Sequence, residues 1–382
     1  MKQLTKLKFD NIKLVLDTLK NYGSISKKQI TSITNLSSVL ITKICSELIE
    51  KKIILEGEFL PSEKAGRREQ VLHLNYNFKY IIGLSFFSDS SKITISNLKP
   101  SLIYSREYLF LNKTPEELII IMLEELKEWM LKNGLKESDF LGIGIIAKGT
   151  INRLENSIGI DIWKREIFIK KEIQSFFNIP IVIENDVKSF AIAHNYLYPK
   201  FHDFFLVHYG INGIGGAVFK NELLINEVDS IGKIGHIIID PNMEFCPICK
   251  RRGCLESLIS IKTILKKETQ YFNNISIEKL LELYNEGDIE VSKLLNESAK
   301  YMAQSIINTY SIIGSKDIIL HGDLFFNENY FFSLISYIKR YQLGDFYKRI
   351  ILSPLEKEDI ELAPNILAIN FFLFQNTDML EL

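Results

Sequence analysis

The chain has 382 residues, of which 46% are hydrophobic and 24% are charged, the composition of a globular protein with room for two or three packed units. No run of 18 apolar residues occurs, so the sequence predicts no membrane-spanning helix. The first residues lack the apolar stretch and the cleavage site of a secretion signal, and we therefore expect a cytoplasmic protein. The net charge of −1 argues neither for nor against a nucleic-acid partner.

Positive charge is concentrated at the front of the chain. Residues 1–70 hold 13 Lys and Arg against 8 Asp and Glu, a net of +5, whereas the remaining residues carry a net of −6. A basic front on an acidic body fits a small DNA-binding domain joined to a larger one. Chance unevenness is the alternative explanation of the same numbers.

The front of the chain has the pattern of a winged helix-turn-helix. Helical periodicity over 7–21 predicts a first helix. Ser26 and Gln29 have the spacing of a capping box, which predicts the start of a second helix. A turn over 35–37 then separates the second helix from a third, which runs to about residue 52.

Two short strands, at 53–56 and 71–74, enclose a basic, turn-rich loop that has the composition of a wing. The third helix, opened by Ser37 or Ser38, presents polar side chains at the end that a recognition helix inserts into the major groove. A wing arginine can enter the minor groove. We predict contacts with double-stranded operator DNA from Ser37, Ser38, Thr42, Lys43, Ser46, Lys64, Arg67 and Arg68. A three-helix packing unit with solvated charges is the alternative.

Strand-like and helical segments alternate after about residue 76, which predicts an α/β architecture. The predicted strands are 80–86, 92–96, 141–147, 180–184, 204–209 and 214–219. The predicted helices are 115–132, 186–197, 255–272, 277–310 and 331–341.

Three of the four cysteines, Cys246, Cys249 and Cys254, lie within nine residues of one another. This clustering argues against a distributed disulfide framework and indicates a metal site. The alternative is a set of reduced free thiols. The fourth cysteine, Cys45, is most simply a small core residue.

The whole chain resembles the ROK family of repressors, unassigned reading frames and sugar kinases, and in particular its repressor branch. The resemblance is carried by the helix-turn-helix with its Gly-Arg-Arg wing, by Glu184-Asn185-Asp186, and by Gly235-His236 followed by the cysteine cluster and Glu256. It implies a winged helix-turn-helix over residues 1–75 and a two-lobed, actin-like (ribonuclease-H-like) ATPase fold over 76–382. Lobe one would span about 76–190 plus the C-terminal tail, and lobe two about 191–365.

The family signature implies that His236 joins Cys246, Cys249 and Cys254 in binding zinc. Three thiolates and one imidazole make a closed tetrahedral set with no position for a catalytic water, so the zinc would be structural. The family usually has one residue between the first two cysteines and a glycine after the second. Here two residues stand between them and Lys250 follows, and we still expect chelation because a two-residue spacer is common in zinc knuckles.

The resemblance also implies that a sugar is held by Asn185, Asp186, Lys233, His236 and Glu256. Lys233 departs from the family, which has a glutamate three residues before the zinc histidine. A carboxylate accepts hydrogen bonds from sugar hydroxyls, whereas an ammonium only donates them. Two hypotheses follow: the effector is an anionic sugar, such as a sugar phosphate or a sugar acid, or Lys233 pairs with Asp186 or Glu256 in a pocket that has changed.

Phosphate transfer needs a base and a cradle for the ATP phosphates. Asp186 stands at the position of the family's base, but the Asp-x-Gly-Gly-Thr turn of its kinases is replaced here by a segment with Phe86 and Phe87. Backbone N–H groups do not approach phosphates closely past such side chains. The hairpin glycines over 213–216 are kept, whereas a later Gly-Gly pair reads His321-Gly322.

We therefore predict a regulator of carbohydrate genes with no catalytic residues. A palindromic operator requires two-fold pairing, which predicts a homodimer or a dimer of dimers. Effector and DNA would then change each other's affinity by the same factor. The alternatives are a sugar kinase of the ROK family and a DNA-binding regulator that has lost its small-molecule effector.

Overall fold

The structure is a computed structural model that describes residues 2–61, 68–87, 90–110, 113–152, 155–160, 163, 165–211, 213–220, 223–225, 231–268 and 275–376, with side chains from residue 6 onward. The chain divides into two compact units. The first comprises Met1–Tyr196 with Lys357–Leu382, and the second comprises Leu197–Glu356. Among the described residues, no helix is both long enough and apolar enough to cross a membrane.

The front of the chain, called the head here and covering residues up to Leu74, forms three helices and a small sheet. Its elements are α1 (Lys2–Tyr22), β1 (Ile25–Ser26), α2 (Lys27–Thr34), α3 (Ser38–Glu50), β2 (Ile54–Phe59) and β3 (Gln70–Leu74). Strand β3 lies between β1 and β2 and is antiparallel to both. Helices α2 and α3 form the predicted helix-turn-helix.

The predicted capping box at the start of α2 is confirmed. Ser26 Oγ accepts a hydrogen bond from the Gln29 backbone N–H (3.3 Å), and Gln29 Oε1 accepts one from the Ser26 N–H (2.8 Å). The chain turns after α2 at Asn35, which has a left-handed backbone with φ of 56°. Of the two serines predicted to open α3, Ser37 is the cap, since its Oγ accepts a hydrogen bond from the Leu40 N–H at 3.3 Å.

The base of the predicted wing is fixed to the start of α2. Residues 62–67 lie outside the described part of the chain, and Arg68 is exposed where the description resumes. Glu69 accepts a hydrogen bond from Ser26 Oγ at 2.6 Å and forms an ion pair with Lys28 Nζ at 3.1 Å. Glu69 is therefore held beside the start of α2.

The first unit continues with a five-stranded sheet and its helices. The elements are β4 (Tyr80–Phe86), β5 (Ser90–Ser96), β6 (Leu102–Leu109), α4 (Pro115–Lys132), β7 (Phe140–Ala147), β8 (Thr150–Asn152), β9 (Ser157–Gly159), β10 (Glu166–Ile167), α5 (Ile169–Gln174), β11 (Ile181–Asn185) and α6 (Asp186–Leu197). The order is β11-β7-β4-β5-β6, with β11, β7 and β4 parallel and β5 and β6 antiparallel. The carboxyl ends of the three parallel strands therefore share one edge.

The second unit has its own five-stranded sheet. Its elements are β12 (Phe204–Gly210), β13 (Gly213–Lys220), β14 (Leu223–Ile225), α7 (Leu255–Ile259), α8 (Ile261–Glu268), α9 (Ile277–Glu286), α10 (Ile289–Ile313), β15 (Asp317–His321), α11 (Asp323–Phe326), α12 (Glu328–Tyr341) and β16 (Ile350–Leu352). The order is β14-β13-β12-β15-β16, in which β12, β15 and β16 are parallel. The two units thus repeat one α/β plan.

Two long helices predicted from the sequence are each broken in the structure. The segment 255–272 is split at Ser260, whose hydroxyl accepts a backbone hydrogen bond of 3.3 Å from the first turn of α8. The segment 277–310 is split at Gly287, which ends α9 with a left-handed backbone (φ 80°), and Asp288 caps α10. Helical periodicity continues across both breaks, so the apolar pattern alone does not reveal them.

The end of the chain returns to the first unit as α13 (Lys357–Glu361), α14 (Ala363–Ile369) and a π-helical turn over Asn370–Gln375. Helix α14 packs closely on the sheet, because a methyl group on Gly144 would lie 1.8 Å from the Pro364 carbonyl oxygen. Asn365 is buried and accepts a hydrogen bond from Thr94 Oγ1 (2.6 Å) while donating one to the Ile81 carbonyl (3.2 Å). The C-terminal segment is therefore an integral layer of the first unit.

One hydrophobic core joins the head to this C-terminal segment. Its buried side chains include Ile12, Val15, Leu16 and Leu19 of α1, Ile41, Ile44 and Leu48 of α3, and Phe372, Leu373 and Phe374 of the π-helical turn. Lys20 Nζ lies 5.0 Å from the centre of the Phe374 ring and 5.4 Å from that of Tyr196. The head therefore has no core that is closed off from the rest of the first unit.

Replacing Phe374, which is 1% exposed, with alanine should loosen the head as well as the C-terminal turn. We expect a loss of about 3–5 kcal/mol because the cavity lies in the shared core. Hydrogen exchange should then accelerate in α1 as well as in the turn. Phe332→Ala is the matched control, since Phe332 is 65% exposed, and it should leave both segments unchanged. Faster exchange confined to the turn would contradict the shared core.

Candidate DNA-binding, metal and ligand sites

Helix α3 separates a buried face from an exposed one, as the sequence predicts. The buried residues are Ile41, Ile44, Cys45 and Leu48. The predicted DNA-contacting residues of this segment are all exposed: Ser37, Ser38, Thr42, Lys43 and Ser46. Val39 lies among them and is 79% exposed. Val39 is not among the predicted contacts, yet an exposed apolar side chain here can contact a thymine methyl group.

Of the three predicted wing contacts, the structure describes only one. Arg68 is exposed, whereas Lys64 and Arg67 lie outside the described residues. Their proposed contacts with DNA therefore stay predictions.

The fold brings the four predicted metal ligands together in the second unit. One ligand atom each from His236, Cys246, Cys249 and Cys254 lies within 4.8 Å of all the others. The atom of His236 that faces Cys254 Sγ, at 3.9 Å, is Nδ1. Three thiols and one imidazole at such separations can close around a tetrahedral ion with bonds of about 2.0–2.3 Å.

The protonation states of the ligands have opposite effects on metal binding at neutral pH. Burial raises the pKa of the Cys254 thiol to about 11. Burial, together with the charges of Lys233 and Arg251, lowers the pKa of His236, so that its imidazole is neutral. A metal ion at this cluster would displace the thiol proton and stabilise the thiolate in a buried site.

The backbone of the cysteine loop explains how Lys250 is accommodated where the family has glycine. A turn is closed by hydrogen bonds from the Cys246 N–H to the Arg251 carbonyl (2.8 Å) and from the Lys250 N–H to the Cys246 carbonyl (3.0 Å). Lys250 adopts a left-handed backbone with φ of 61°, which costs a non-glycine residue about 1 kcal/mol. Gly253 cannot be replaced in the same way, because a methyl group there would lie 1.5 Å from the Asp240 carbonyl oxygen.

Glu256 links this loop to the glycine-rich hairpin that opens β13. Its Oε2 accepts a hydrogen bond from the Ile214 N–H at 2.8 Å. Methyl groups on Gly213 or Gly235 would each lie 2.9 Å from a Glu256 carboxylate oxygen. The carboxylate is therefore enclosed by two glycines. It also satisfies a hairpin N–H that could otherwise bind a phosphate oxygen.

Lys233 stands immediately before the short 3₁₀ turn Ile234–His236 and is exposed. The predicted pairing with Glu256 is absent: among the described residues of the second unit, Lys233 has no ion-pair partner. Its charge is nevertheless close enough to His236 to contribute to the lowered pKa of that imidazole.

In the first unit, Asn185 and Asp186 lie where β11 meets α6. Asn185 Oδ1 accepts hydrogen bonds from the N–H groups of Val187 (3.0 Å) and Lys188 (3.4 Å), and Asp186 Oδ1 accepts one from Val187 (2.9 Å). Asp186 is only 6% exposed. Burial raises its pKa to about 6, although the Val187 hydrogen bond and the charge of Lys148 oppose the shift. At neutral pH Asp186 is thus mostly an ionised acceptor.

The sequence analysis does not predict Lys148 as a site residue. The sheet register explains its position, because Ala147 at the end of β7 is paired with Asn185 at the end of β11. Lys148 follows at the same edge. Register of this kind depends on strand pairing, which the linear sequence does not specify.

The segment expected to obstruct ATP needs one correction. Phe86 is buried in the core, where its ring packs edge-on against that of Trp163 with centroids 5.9 Å apart. It therefore does not cover a phosphate position. Phe87 is half-buried, and its N–H donates to the Ser90 carbonyl at 2.9 Å in the turn between β4 and β5. Of the two phenylalanines, only Phe87 stays a candidate for the predicted obstruction.

A histidine pair occupies adjacent strand ends in the second unit. His208 on β12 is paired in register with His321 on β15, their rings stack with centroids 5.1 Å apart, and their Nδ1 atoms are 2.9 Å apart. One Nδ1 must donate and the other accept. Burial lowers the pKa of His321 to about 4, so it is neutral at physiological pH. The glycine at Gly322 (φ 125°) is required, because a methyl group would lie 2.2 Å from the Tyr209 carbonyl oxygen.

The model of the ROK family matches residues 83–359, and the chain belongs to this family. A xylose repressor of Bacillus subtilis is 24% identical over 378 residues that cover 97% of both chains. The DNA-binding transcriptional dual regulator NagC of Escherichia coli is 21% identical over 332 residues, which cover 82% of this chain and 80% of that protein.

Solved structures show the same fold. A ROK family transcriptional regulator described as a homologue of the E. coli MLC protein has a TM-score of 0.83 at 19% identity and covers 98% of this chain and 99% of its own. A ROK hexokinase from Thermus thermophilus has a TM-score of 0.64 at 19% identity and covers 75% of this chain and 97% of its own. The predicted fold class, a winged helix-turn-helix followed by a two-lobed actin-like fold, is confirmed.

The raised pKa of Asp186 predicts a pH-dependent stability. The folded state binds the proton more tightly than the unfolded chain, so stability should fall as the pH rises from about 4 through about 6. Asp186→Asn keeps the acceptor for the Val187 N–H and removes the buried charge. It should be more stable than the wild type by roughly 2–3 kcal/mol at pH 8 and no more stable at pH 4.

Scanning calorimetry from pH 4 to pH 8 measures this difference. Asp10→Asn is the control, because Asp10 is exposed, and its effect should not change with pH. A constant difference between the wild type and Asp186→Asn across the range would show that the buried charge is not the cause.

Proposed function

We propose that this protein is a sugar-responsive transcriptional repressor of carbohydrate genes that binds operator DNA through its head and does not transfer phosphate. The observation that carries the proposal is the exposed, polar start of α3. Ser37 caps this helix, and the head to which the helix belongs shares the hydrophobic core of the first unit. The names of the xylose repressor and NagC support the same function. Exposed Lys43 and Arg68 supply charge for phosphates or guanine, and Val39 an apolar contact for thymine.

For the effector, we propose a sugar or sugar derivative bound by Asn185, Asp186, Lys233, His236 and Glu256. These side chains supply carboxylate, amide, imidazole and ammonium groups, the hydrogen-bonding groups that sugar hydroxyls and their substituents need.

The domain boundaries that we propose are residues 1–75 for the DNA-binding domain and 76–382 for the ROK domain.

A ROK sugar kinase is the second candidate. It is favoured by Asp186, whose pKa of about 6 suits a general base, and by the fold shared with a hexokinase. Two features argue against it. The Ile214 N–H is bonded to Glu256, and the turn after β4 carries Phe87 in place of glycine. The third candidate, a DNA-bound regulator without an effector, predicts an operator affinity that no sugar changes.

We propose that the His236–Cys246–Cys249–Cys254 cluster holds a structural zinc ion. The donor set leaves no open position, so the metal would fix the loop that carries His236 and precedes Glu256 without supplying a nucleophile. Nδ1 of His236 faces the Cys254 thiol, so if this atom bound the metal, the Nε2–H would be left to donate to a ligand.

Cys246→Ser should abolish stoichiometric zinc and lower the thermal midpoint, because a structural zinc contributes directly to folding stability. Cys45→Ala is the matched control, since Cys45 is buried in the head and should leave the zinc content at one ion per chain. Elemental analysis and thermal unfolding measure both. Full zinc content in Cys246→Ser, or equal loss in Cys45→Ala, would contradict this ligand set.

Selection of bound duplexes from a random library should yield a palindromic operator, because we expect a homodimer or a dimer of dimers. Anisotropy titration at 100 mM salt should then show that Lys43→Ala weakens operator binding about 5- to 100-fold, the range for loss of one base contact. Lys293→Ala removes the same charge from exposed Lys293 in the second unit and should have no effect.

Addition of sugars to the operator complex tests the remaining part of the proposal. A sugar that changes operator affinity supports a sugar-responsive repressor, whereas ATP-dependent phosphorylation of that sugar would support the kinase. Equal weakening by Lys43→Ala and Lys293→Ala would indicate non-specific attraction and sink the assignment of α3 as the recognition helix.

A further inference from the structure

The backbone around Lys233 is held rigidly against β13. A methyl group on Gly232 would lie 2.1 Å from the Gly216 carbonyl oxygen, and one on Gly235 would lie 2.4 Å from the Ile214 carbonyl oxygen. Gly232 also has φ of 86°, a conformation that favours glycine. Both flanks of Lys233 are therefore packed backbone to backbone, and the Cα of Lys233 has a fixed place beside the hairpin.

The side chain of Lys233, in contrast, is not engaged within the described part of its own unit. It is exposed and has neither an ion pair nor a side-chain hydrogen bond there. Arg251, in contrast, is engaged, because its Nη1 donates to the His236 carbonyl at 3.0 Å. Arg251 thus serves the cysteine loop, and Lys233 is left for another anion.

Glu256 forms no ion pair with Lys233 in the described part of the second unit. Glu256 accepts the Ile214 N–H and is enclosed by Gly213 and Gly235, so its position is set by backbone groups. His236 adds no negative charge, because a histidine side chain is either neutral or cationic. Among the described residues of its unit, Lys233 therefore combines a fixed backbone position with an ammonium group that has no ion-pair partner, and such a group can bind an anion.

We propose that the effector carries an anionic group, a phosphate monoester or a carboxylate, that Lys233 binds, while His236 and Glu256 contact its hydroxyl groups. This inference rests on the proposed function and narrows its ligand class. An ammonium binds phosphate or carboxylate through a charge-assisted hydrogen bond, which is roughly twice as strong as a neutral one. A neutral sugar would leave that charge uncompensated.

Calorimetric titration of the full-length, zinc-loaded protein tests the proposal with matched sugars. The panel pairs glucose with glucose 6-phosphate and gluconate, N-acetylglucosamine with its 6-phosphate, and xylose with xylonate, and it includes inorganic phosphate alone. We expect at least one anionic member to bind tenfold or more tightly than its neutral partner. Comparing the sugar phosphates with the sugar acids shows whether the anionic group is a phosphate or a carboxylate.

Two variants assign the preference to one side chain. Lys233→Met keeps the length of the chain and should remove tenfold or more of the anionic preference, whereas Lys293→Met should leave it unchanged. Lys233→Glu should reverse the preference toward the neutral partner, because a carboxylate accepts hydroxyl hydrogen bonds. Zinc content and the thermal midpoint verify that each variant is folded.

The possible results separate a failure of the anionic assignment from a failure of the proposed repressor function. Tight binding of a neutral sugar that also changes operator affinity overturns the anionic assignment and leaves the repressor function intact. An anionic preference that survives in Lys233→Met, or inorganic phosphate binding as tightly as the sugar phosphates, also overturns it. If no member of the panel binds or changes operator affinity, the effector part of the proposed function fails together with this inference.

Discussion

The architecture depends on the packing of α1 against the C-terminal π-helical turn. The apolar face of α1 is covered by Phe372 and Phe374, so the head is completed by the last described residues of the chain. Separating the two would return large aromatic surfaces to water, at about 25 cal/mol for each Å² exposed. The helix-turn-helix is therefore fixed to the first unit by a hydrophobic core and not carried on a flexible linker.

This packing connects two regions that are distant in sequence. Helix α6 begins with Asp186, next to Asn185, and near its other end Tyr196 packs against Phe374 with ring centroids 6.1 Å apart. Lys20 of α1 lies over both of these rings. One helix and one aromatic contact therefore join Asp186 to α1. The path is contiguous packing within a single unit, the kind of element through which two sites can be coupled.

Much of the molecule could be predicted because short-range rules apply to it. The Ser26–Gln29 capping box, the buried face of α3 and the alternation of strands and helices are local patterns, and the four metal ligands lie within 19 residues. What the sequence analysis lacked depends on contacts between distant segments. The proximity of Lys148 to Asp186 and the inward orientation of Phe86 follow from strand register, which the apolar pattern leaves open.

The departures from the family pattern have different physical consequences. Lys250 replaces glycine in a left-handed position, so it adds strain of about 1 kcal/mol but keeps the turn that brings the cysteines together. Lys233 replaces a carboxylate on a segment held between two close backbone contacts, so the geometry is kept and only the charge changes. A substitution of the first kind alters the stability of a loop. One of the second kind alters which ligand the same framework can hold, because hydrogen-bond polarity and charge are reversed at a fixed position.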